Sequence, residues 1–513
     1  MKKILLSIFM AAAVLTSCNM DEAPDGSIDI NNACTKMADV HSLRNGLYSF
    51  LRGRSGGGYT TLSDLQTDLF IATRNSGNSY LEFLTGQLKT NNEDVEGIFY
   101  GLYSGLMQTN FFLEAVTEFK TAKEETLTAE DLATIDRDIA EAYFMRAYYN
   151  SLLVYYWCGN YDASTASKPH TGIPLVVKYQ PSQNRGTYPS RSTLEESYTQ
   201  IEEDLKLAIE GLEAWEENDM SALVAGGNGY LNSYAAKALK ARVALWKGTQ
   251  ASLLVAYNTA KEIIDSGEFP LTTRASYTGM WRNDAGSELI FQPYGDASQR
   301  GSVTAYTMFN QGSPNNVLWT ATANAYNKYT SDDIRLSAFF STTSVKFSGA
   351  SLTVLRFNKF PGKSTYNSGN YNEFKNLPKP FRTSEQYLIL AEAGAALGKA
   401  DASDYLNEFI GERVSNYTPQ TLTGAALTTE IRDQWVKEFI GEGFRLGQLR
   451  RWNIASTRTS AYPASLSTMP GFIIDLGTNT YGYQPGAYQL VWPIPSAEMT
   501  TNPNLAGQQN PGY

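Results

Sequence analysis

The sequence predicts a mainly α-helical protein: an irregular stack of helix pairs carrying long loop-rich insertions and a few short strands. Three observations carry that expectation. Apolar residues recur at three- and four-residue steps in several separate stretches. Alanines and glycines fall where two helix backbones must approach. Two long tracts lack helical period and are rich in Gly, Ser, Thr, Asn and Tyr. A chain of 513 residues can bury a sizeable core without disulfides or metals.

Residues 1–17 are expected to lie outside the fold. Lys2 and Lys3 make a positive start, and Ile4 to Leu15 is apolar but for Ser7, which is too short to span a bilayer and predicts a signal peptide. The run ends in Leu15-Thr16-Ser17-Cys18, which resembles the lipobox of bacterial lipoproteins. That resemblance implies cleavage before Cys18 and a lipid on its sulfur, an anchor that does not span. Asn19-Met20-Asp21-Glu22 looks like the acidic tag that sends Bacteroidetes lipoproteins to the cell surface. Residues 18–40 read as a lipidated tether, with Pro24 and Gly26 in its polar part, and 41–513 as a single domain.

The helices follow in order. Asp138 to Trp157 carries Ile139, Ala142, Tyr143, Arg146, Ala147, Leu152 and Leu153. Leu194 to Leu212 repeats the period, opened by Ser192-Thr193 as caps. Tyr234–Lys247 pairs with Ser252–Ser266, and residues 384–398 with 402–414. Gly248 and Gly398 fall near the turns, and alanines sit on the second helix of each pair. This is tetratricopeptide-like grammar with irregular spacing, and 158–193 splits the first pair. One pair cannot bury its apolar face, so the pairs are expected to stack, with the scaffold at about 41–270 and 381–452. The tracts at about 271–380 and 453–513, with strand-like runs at Glu288–Gln292 and Leu352–Asn358, are expected to form the ligand-facing surface.

Composition excludes several chemistries. The 42 Lys and Arg against 52 Asp and Glu give a net charge of −10, which repels nucleic acid. Three Cys and two His leave no zinc cluster and little for histidine catalysis. Gly53, Gly56, Gly57 and Gly58 lack the Gly-Lys-Ser/Thr ending of a phosphate loop and read as a flexible turn. Glu438 and Glu442, four apart, predict two carboxylates on one helix face. Glycoside hydrolysis needs carboxyls across a cleft, so they read as structural, with Arg445, Arg450 and Arg451 as counter-charges. Cys34 and Cys158 admit either a disulfide or two free thiols. Tyr155-Tyr156-Trp157 is assigned to the core.

Four places carry a more specific resemblance. The carboxyl end reads Leu490-Val491-Trp492-Pro493-Ile494-Pro495-Ser496-Ala497-Glu498, then Asn502-Pro503-Asn504-Leu505 and Gln509-Asn510-Pro511-Gly512-Tyr513. Glu438 to Arg445 runs on to Leu449-Arg450-Arg451-Trp452; Leu388 to Ala393 reads LILAEA; Phe269-Pro270-Leu271 precedes Glu288-Leu289-Ile290-Phe291. In order and spacing these resemble the SusD/RagB family of nutrient-binding outer-membrane lipoproteins of Bacteroidetes. The resemblance implies a surface protein, not an enzyme, that captures oligosaccharide or polysaccharide and delivers it to a SusC-type TonB-dependent transporter. Peptide capture, as in RagB-like relatives, is the alternative, and a lipid-anchored polysaccharide-degrading enzyme comes third. No cofactor is implied, with a Ca2+ ion bridging protein and ligand left open. The chain departs from the family at Glu412-Arg413-Val414-Ser415, where relatives often have Arg-Ala-Gly.

A sugar needs flat rings for its C–H faces and amides, carboxylates or Arg for its hydroxyls. The chain has 32 Tyr, 23 Phe and 8 Trp to draw on. By analogy with the family, the contacts are expected in the loop after Phe291, which holds Tyr294, Asp296, Gln299, Arg300, Tyr306, Trp319, Asn324, Tyr326, Asn327 and Tyr329, and near residues 64–83, which hold Asp64, Asp68, Arg74, Asn75, Asn78 and Tyr80. Trp319 and Tyr294 are nominated as platforms, with Tyr326 and Tyr80 beside them and Arg74, Asn78 and Asp68 for hydroxyls. Trp319 is favoured because Pro314, Asn315 and Asn316 just before it predict an exposed loop. The plainer reading of each tyrosine is a packing anchor with its hydroxyl satisfied.

Overall fold

The computed structural model describes residues 33–56, 58–217, 229–296, 298, 303–304, 309–458, 471–474 and 481–513. The expected signal peptide, Cys18, most of the tether and Gly57 lie outside them. Among the described residues, twelve helices of seven residues or more build the frame: α1 (Met37–Arg54), α2 (Gly58–Leu65), α3 (Glu93–Lys123), α4 (Ala129–Trp157), α5 (Leu194–Glu216), α6 (Ser233–Lys247), α7 (Gln250–Ser266), α8 (Arg274–Asn283), α9 (Thr383–Leu397), α10 (Ala402–Gly411), α11 (Gly424–Phe439) and α12 (Arg445–Arg451). No helix among the described residues is long and apolar enough to cross a membrane.

The pairing follows the small residues. α4 packs along α5 across the 158–193 interruption, α6 along α7, and α9 against both α7 and α10. Thr193 caps α5 in a reciprocal box with Glu196, as the sequence signals. Gly248 and Gly398 end α6 and α9 at φ 68° and 70°, the left-handed turn that lets the partner helix fold back. α10 stops at Gly411, earlier than the periodicity predicts, because Val414 bridges to Asp333 and is drawn into extended backbone. α3 is a helix the sequence reading leaves unassigned. Its signals were present, an Asn92 cap and Phe99, Leu102 and Leu106 in period, but Gly97, Gly101 and Gly105 dilute them. Two of those glycines serve closeness: a Cβ on Gly101 would meet the Arg54 guanidinium at 2.7 Å, and one on Gly105 the Tyr149 ring of α4 at 2.8 Å.

Strands are short and paired in twos. β1 (Phe70–Ala72) runs antiparallel to β3 (Trp319–Ala321), β2 (Leu289–Phe291) to β6 (Phe381–Arg382), β4 (Phe340–Phe347) to β5 (Ala350–Phe357), and β7 (Ser456–Arg458) to β8 (Tyr481–Tyr483). The β4–β5 turn is Ser348-Gly349, both at positive φ, which suits a two-residue hairpin. The expectation for Trp319 is corrected here. Pro314 and Asn315 are exposed, but Asn316 is half-buried and already paired with Gln311, and Trp319 pairs with Ala72 at 0 % exposure.

Two stitches hold the insertions to the frame. The first is a buried set of charges in which Arg335, Arg382, Arg413 and Lys359 balance Asp333, Glu288, Glu438 and Glu442. This corrects two sequence expectations. α11 ends at Phe439, and Gly441 and Gly443 turn the chain at φ 82° and 85°, so Glu438 and Glu442 do not share a helix face. Nor are Arg445, Arg450 and Arg451 their counter-charges: these bind Asp68, main-chain carbonyls and Glu392. Arg413, in the departure from the family pattern, lies at the centre of the network. The second stitch is the carboxyl end. Trp492 stacks on Tyr156 with centroids 4.5 Å apart, Trp157 Nε1 donates to Pro493 O at 2.9 Å, and Asn510 Nδ2 donates to Trp157 O at 2.9 Å. Part of the tract expected to face ligand is therefore a strap on α4.

Candidate ligand-binding site

β1 delivers the chain into a strained polar turn. Thr73 fixes its start, donating from N to Leu318 O at 2.8 Å and from Oγ1 to Val317 O at 2.6 Å. Asn75 Nδ2 then donates to Asn316 Oδ1 at 3.0 Å, tying the turn to the segment before β3. Gly77, Asn78 and Tyr80 all take left-handed backbone, at φ 61°, 66° and 61°. For a tyrosine that conformation costs about 1–3 kcal/mol, and such strain persists only where the surroundings enforce it. The turn presents Arg74 and Asn78 to solvent, with Arg74 Nε held by Gly471 O at 3.0 Å. Tyr80 is half-buried, edge-on to Phe83. Three of the nominated residues thus share one turn.

Asp68 sits just before β1 and is already engaged, in a two-pronged ion pair with Arg445 at 2.8 Å on each arm. Burial pushes its carboxyl up, but the Arg445 charge and hydrogen bonds outweigh that and hold it below the usual aspartate value. A depressed folded value means stabilisation that is complete above the unfolded value of about 4 and is lost as pH falls through the folded one. Asp68→Asn is therefore expected to flatten the acid limb of a Tm-against-pH profile below about pH 4. An unchanged limb would show that the pair contributes nothing.

Tyr294 belongs to a second patch. It is 58 % exposed, its hydroxyl donates to Asp296 Oδ2 at 3.1 Å, and its main-chain oxygen accepts from Arg52 Nη1 at 3.3 Å. Gly229 approaches so closely that a Cβ there would lie 3.2 Å from Tyr294 Cβ. The neighbouring Tyr230 is 54 % exposed, edge-on to Tyr48, with the Arg44 guanidinium 4.8 Å from its ring centre. Sequence reasoning missed Tyr230. The available signal was its place directly behind Gly226-Gly227-Asn228-Gly229, a run that cannot bury a ring by itself. Two exposed tyrosines beside Arg52 and Asp296 supply ring faces and hydrogen-bonding groups together.

The remaining nominees pack inward. Tyr326 is half-buried, edge-on to Phe340 at 5.2 Å, and Tyr329 is buried with its hydroxyl on Lys437 O. Asp64 is fully buried and accepts from the Gly441, Gly443 and Arg445 amides. Burial outweighs those bonds and pushes its carboxyl up to about 7. Gln299, Arg300 and Tyr306 lie outside the described residues. Cys34 and Cys158 are both free thiols. Among the described residues, no group of three or more His, Cys, Asp and Glu is placed to hold a metal ion.

Comparison with known proteins bears on this arrangement. The model of the SusD family matches residues 287–513, and that of a SusD-like family described as starch-binding and associating with the outer membrane matches 20–245. No curated protein sequence matches the chain. Among solved structures, a SusD superfamily protein from Bacteroides thetaiotaomicron superposes with a TM-score of 0.72 at 23 % identity, over 93 % of this chain and all of that one. A putative sugar-binding protein from Bacteroides vulgatus gives 0.74 at 22 % over 94 % and 99 %. The surface glycan-binding protein A from Bacteroides fluxus gives 0.66 at 22 % over 94 % and 100 %. At these identities the likeness to solved structures establishes the shared fold.

Proposed function

Because the chain belongs to the SusD family, with the SusD family model matching residues 287–513 and a SusD-like family model matching 20–245, we propose that it captures glycan at the outer surface of the outer membrane and passes it to a SusC-type TonB-dependent transporter. A lipid on Cys18 would hold it there. The observation that carries the glycan reading is the exposed pair Tyr294 and Tyr230 with Arg52 and Asp296 at hand, since rings open to solvent suit sugar faces better than an extended peptide backbone. The reading is of binding rather than cleavage. Glu288, Glu438 and Glu442, which share Arg382, are committed to buried arginine and lysine partners.

Calorimetric titration against a panel of oligosaccharides tests this. Tyr294→Ala is expected to weaken binding by about 1–2 kcal/mol, roughly tenfold, with the thermal unfolding midpoint unchanged. Full affinity in that variant would move the site to the turn carrying Arg74, Asn78 and Tyr80. Binding of peptides with no response to any glycan would favour the RagB-like alternative, and release of reducing ends would overturn the binding reading.

A further inference from the structure

The exposed Tyr230 is fastened from behind. Its main chain is pinned on both flanks. Gly229 lies against Tyr294, where a Cβ would meet Tyr294 Cβ at 3.2 Å, and Leu231 N donates to the Tyr48 hydroxyl at 2.9 Å. Tyr48 in turn donates to Glu141 Oε1 at 2.7 Å. Tyr48 belongs to α1 and Glu141 to α4, so the chain on leaving Tyr230 is tied to two long helices of the frame.

Arg44, one turn before Tyr48 on α1, addresses the ring itself. Its guanidinium lies 4.8 Å from the Tyr230 ring centre and 4.9 Å from that of Tyr48, and the two rings meet edge-on at 5.3 Å and 76°. The guanidinium is locked in turn. Nε and Nη2 donate to the two oxygens of Glu141 at 2.6 and 2.7 Å, and Nε also lies 3.0 Å from Asp138 Oδ1. Both carboxylates are buried, and Asp138 Oδ1 is held as well by Arg137 at 2.6 Å. A lysine would supply the same charge, but not a plane fixed by two parallel bonds and laid against a ring. Ordering a side chain at the moment of binding costs affinity, about two- to tenfold for one residue, so a ring fixed beforehand binds more tightly through the same contact.

We propose that Arg44 is a positioning residue for capture: locked on Glu141, its flat guanidinium backs the Tyr230 ring and holds it in its binding orientation before a ligand arrives. The proposal rests on the capture reading for the ligand, whereas the orientation of the ring is a property of the free protein.

Fluorine NMR of the full chain carrying fluorotyrosine at position 230 tests the orientation, and calorimetric titration with maltohexaose, xylohexaose and mannohexaose tests its use. The fluorine line is expected to lie away from that of a solvent-exposed tyrosine and to move back toward it in Arg44→Lys. Arg44→Lys is expected to weaken binding about two- to tenfold with the unfolding midpoint unchanged, and to have no further effect in a Tyr230→Ala background. Tyr48→Phe, which keeps the ring but removes the acceptor for Leu231 N, is expected to act in the same direction and likewise only through Tyr230, so the proposal stays testable if Arg44→Lys fails to fold. A loss of equal size with and without Tyr230 would make Arg44 a general support and overturn the proposal. So would a fluorine line that Arg44→Lys leaves unmoved. Full affinity in Tyr230→Ala with weakened binding in Tyr294→Ala would overturn it while leaving the capture reading standing. If none of the three hexaoses binds, the capture reading loses that support, and the fluorine line still decides whether Arg44 orients the ring.

Discussion

Replacing Arg382 with leucine is expected to destabilise the protein by about 3–5 kcal/mol, the cost of leaving buried carboxylates without their cation. Arg382 reaches Glu288, Glu438 and Glu442 at 2.9, 2.7 and 2.7 Å, all out of contact with water or nearly so. Burial raises the Glu438 carboxyl, but Arg413, Arg382, Arg335 and Lys359 together hold it well below the usual range, so it stays ionised. Without Arg382 the set carries an excess negative charge in a poorly solvating interior. Adding Glu438→Gln restores the balance and is expected to recover part of the loss, a coupling that denaturant unfolding of both single variants and the double variant would measure. A single variant within about 1 kcal/mol of the parent would show that the network is solvated and dispensable.

Trp319→Ala is expected to cost about 3–5 kcal/mol of stability through the cavity it leaves, while any effect on ligand follows from unfolding alone. The ring is fully buried on a strand whose partner, β1, leads directly into the Arg74 turn. Chemical denaturation would show a lowered midpoint. An undiminished midpoint with lost affinity would restore the surface role that the sequence suggests.

The contrast between Trp319 and Tyr294 shows what the sequence made legible. Both follow turn-forming residues, and both read as loop aromatics. Whether a ring faces water depends on strand pairing with a segment some 250 residues away, and no local pattern encodes that. Helix pairs were legible because Ala238, Gly248, Ala391 and Gly398 solve a local problem of helix approach. The family-like motifs were legible too, but they turned out to be the stitching: Trp492 and Asn510 close the carboxyl strap, and Glu288 and Glu438 sit in the charge network. The residues proposed to face ligand left fainter marks, a glycine run before Tyr230 being the plainest, because no local rule of capping or helix approach dictates which side chain stands exposed.

That strap has a consequence for how the molecule comes into being. Trp157 receives its partners Pro493 and Asn510 from 336 and 353 positions further along the chain. Long-range closures of this kind are entropically slow to form. While the polypeptide is still being made, α4 lacks its cover, and the early helices remain an open assembly with an unfilled seam. Completion waits for residues 492–510 to emerge, so deleting that stretch should loosen α4 and the helices packed on it.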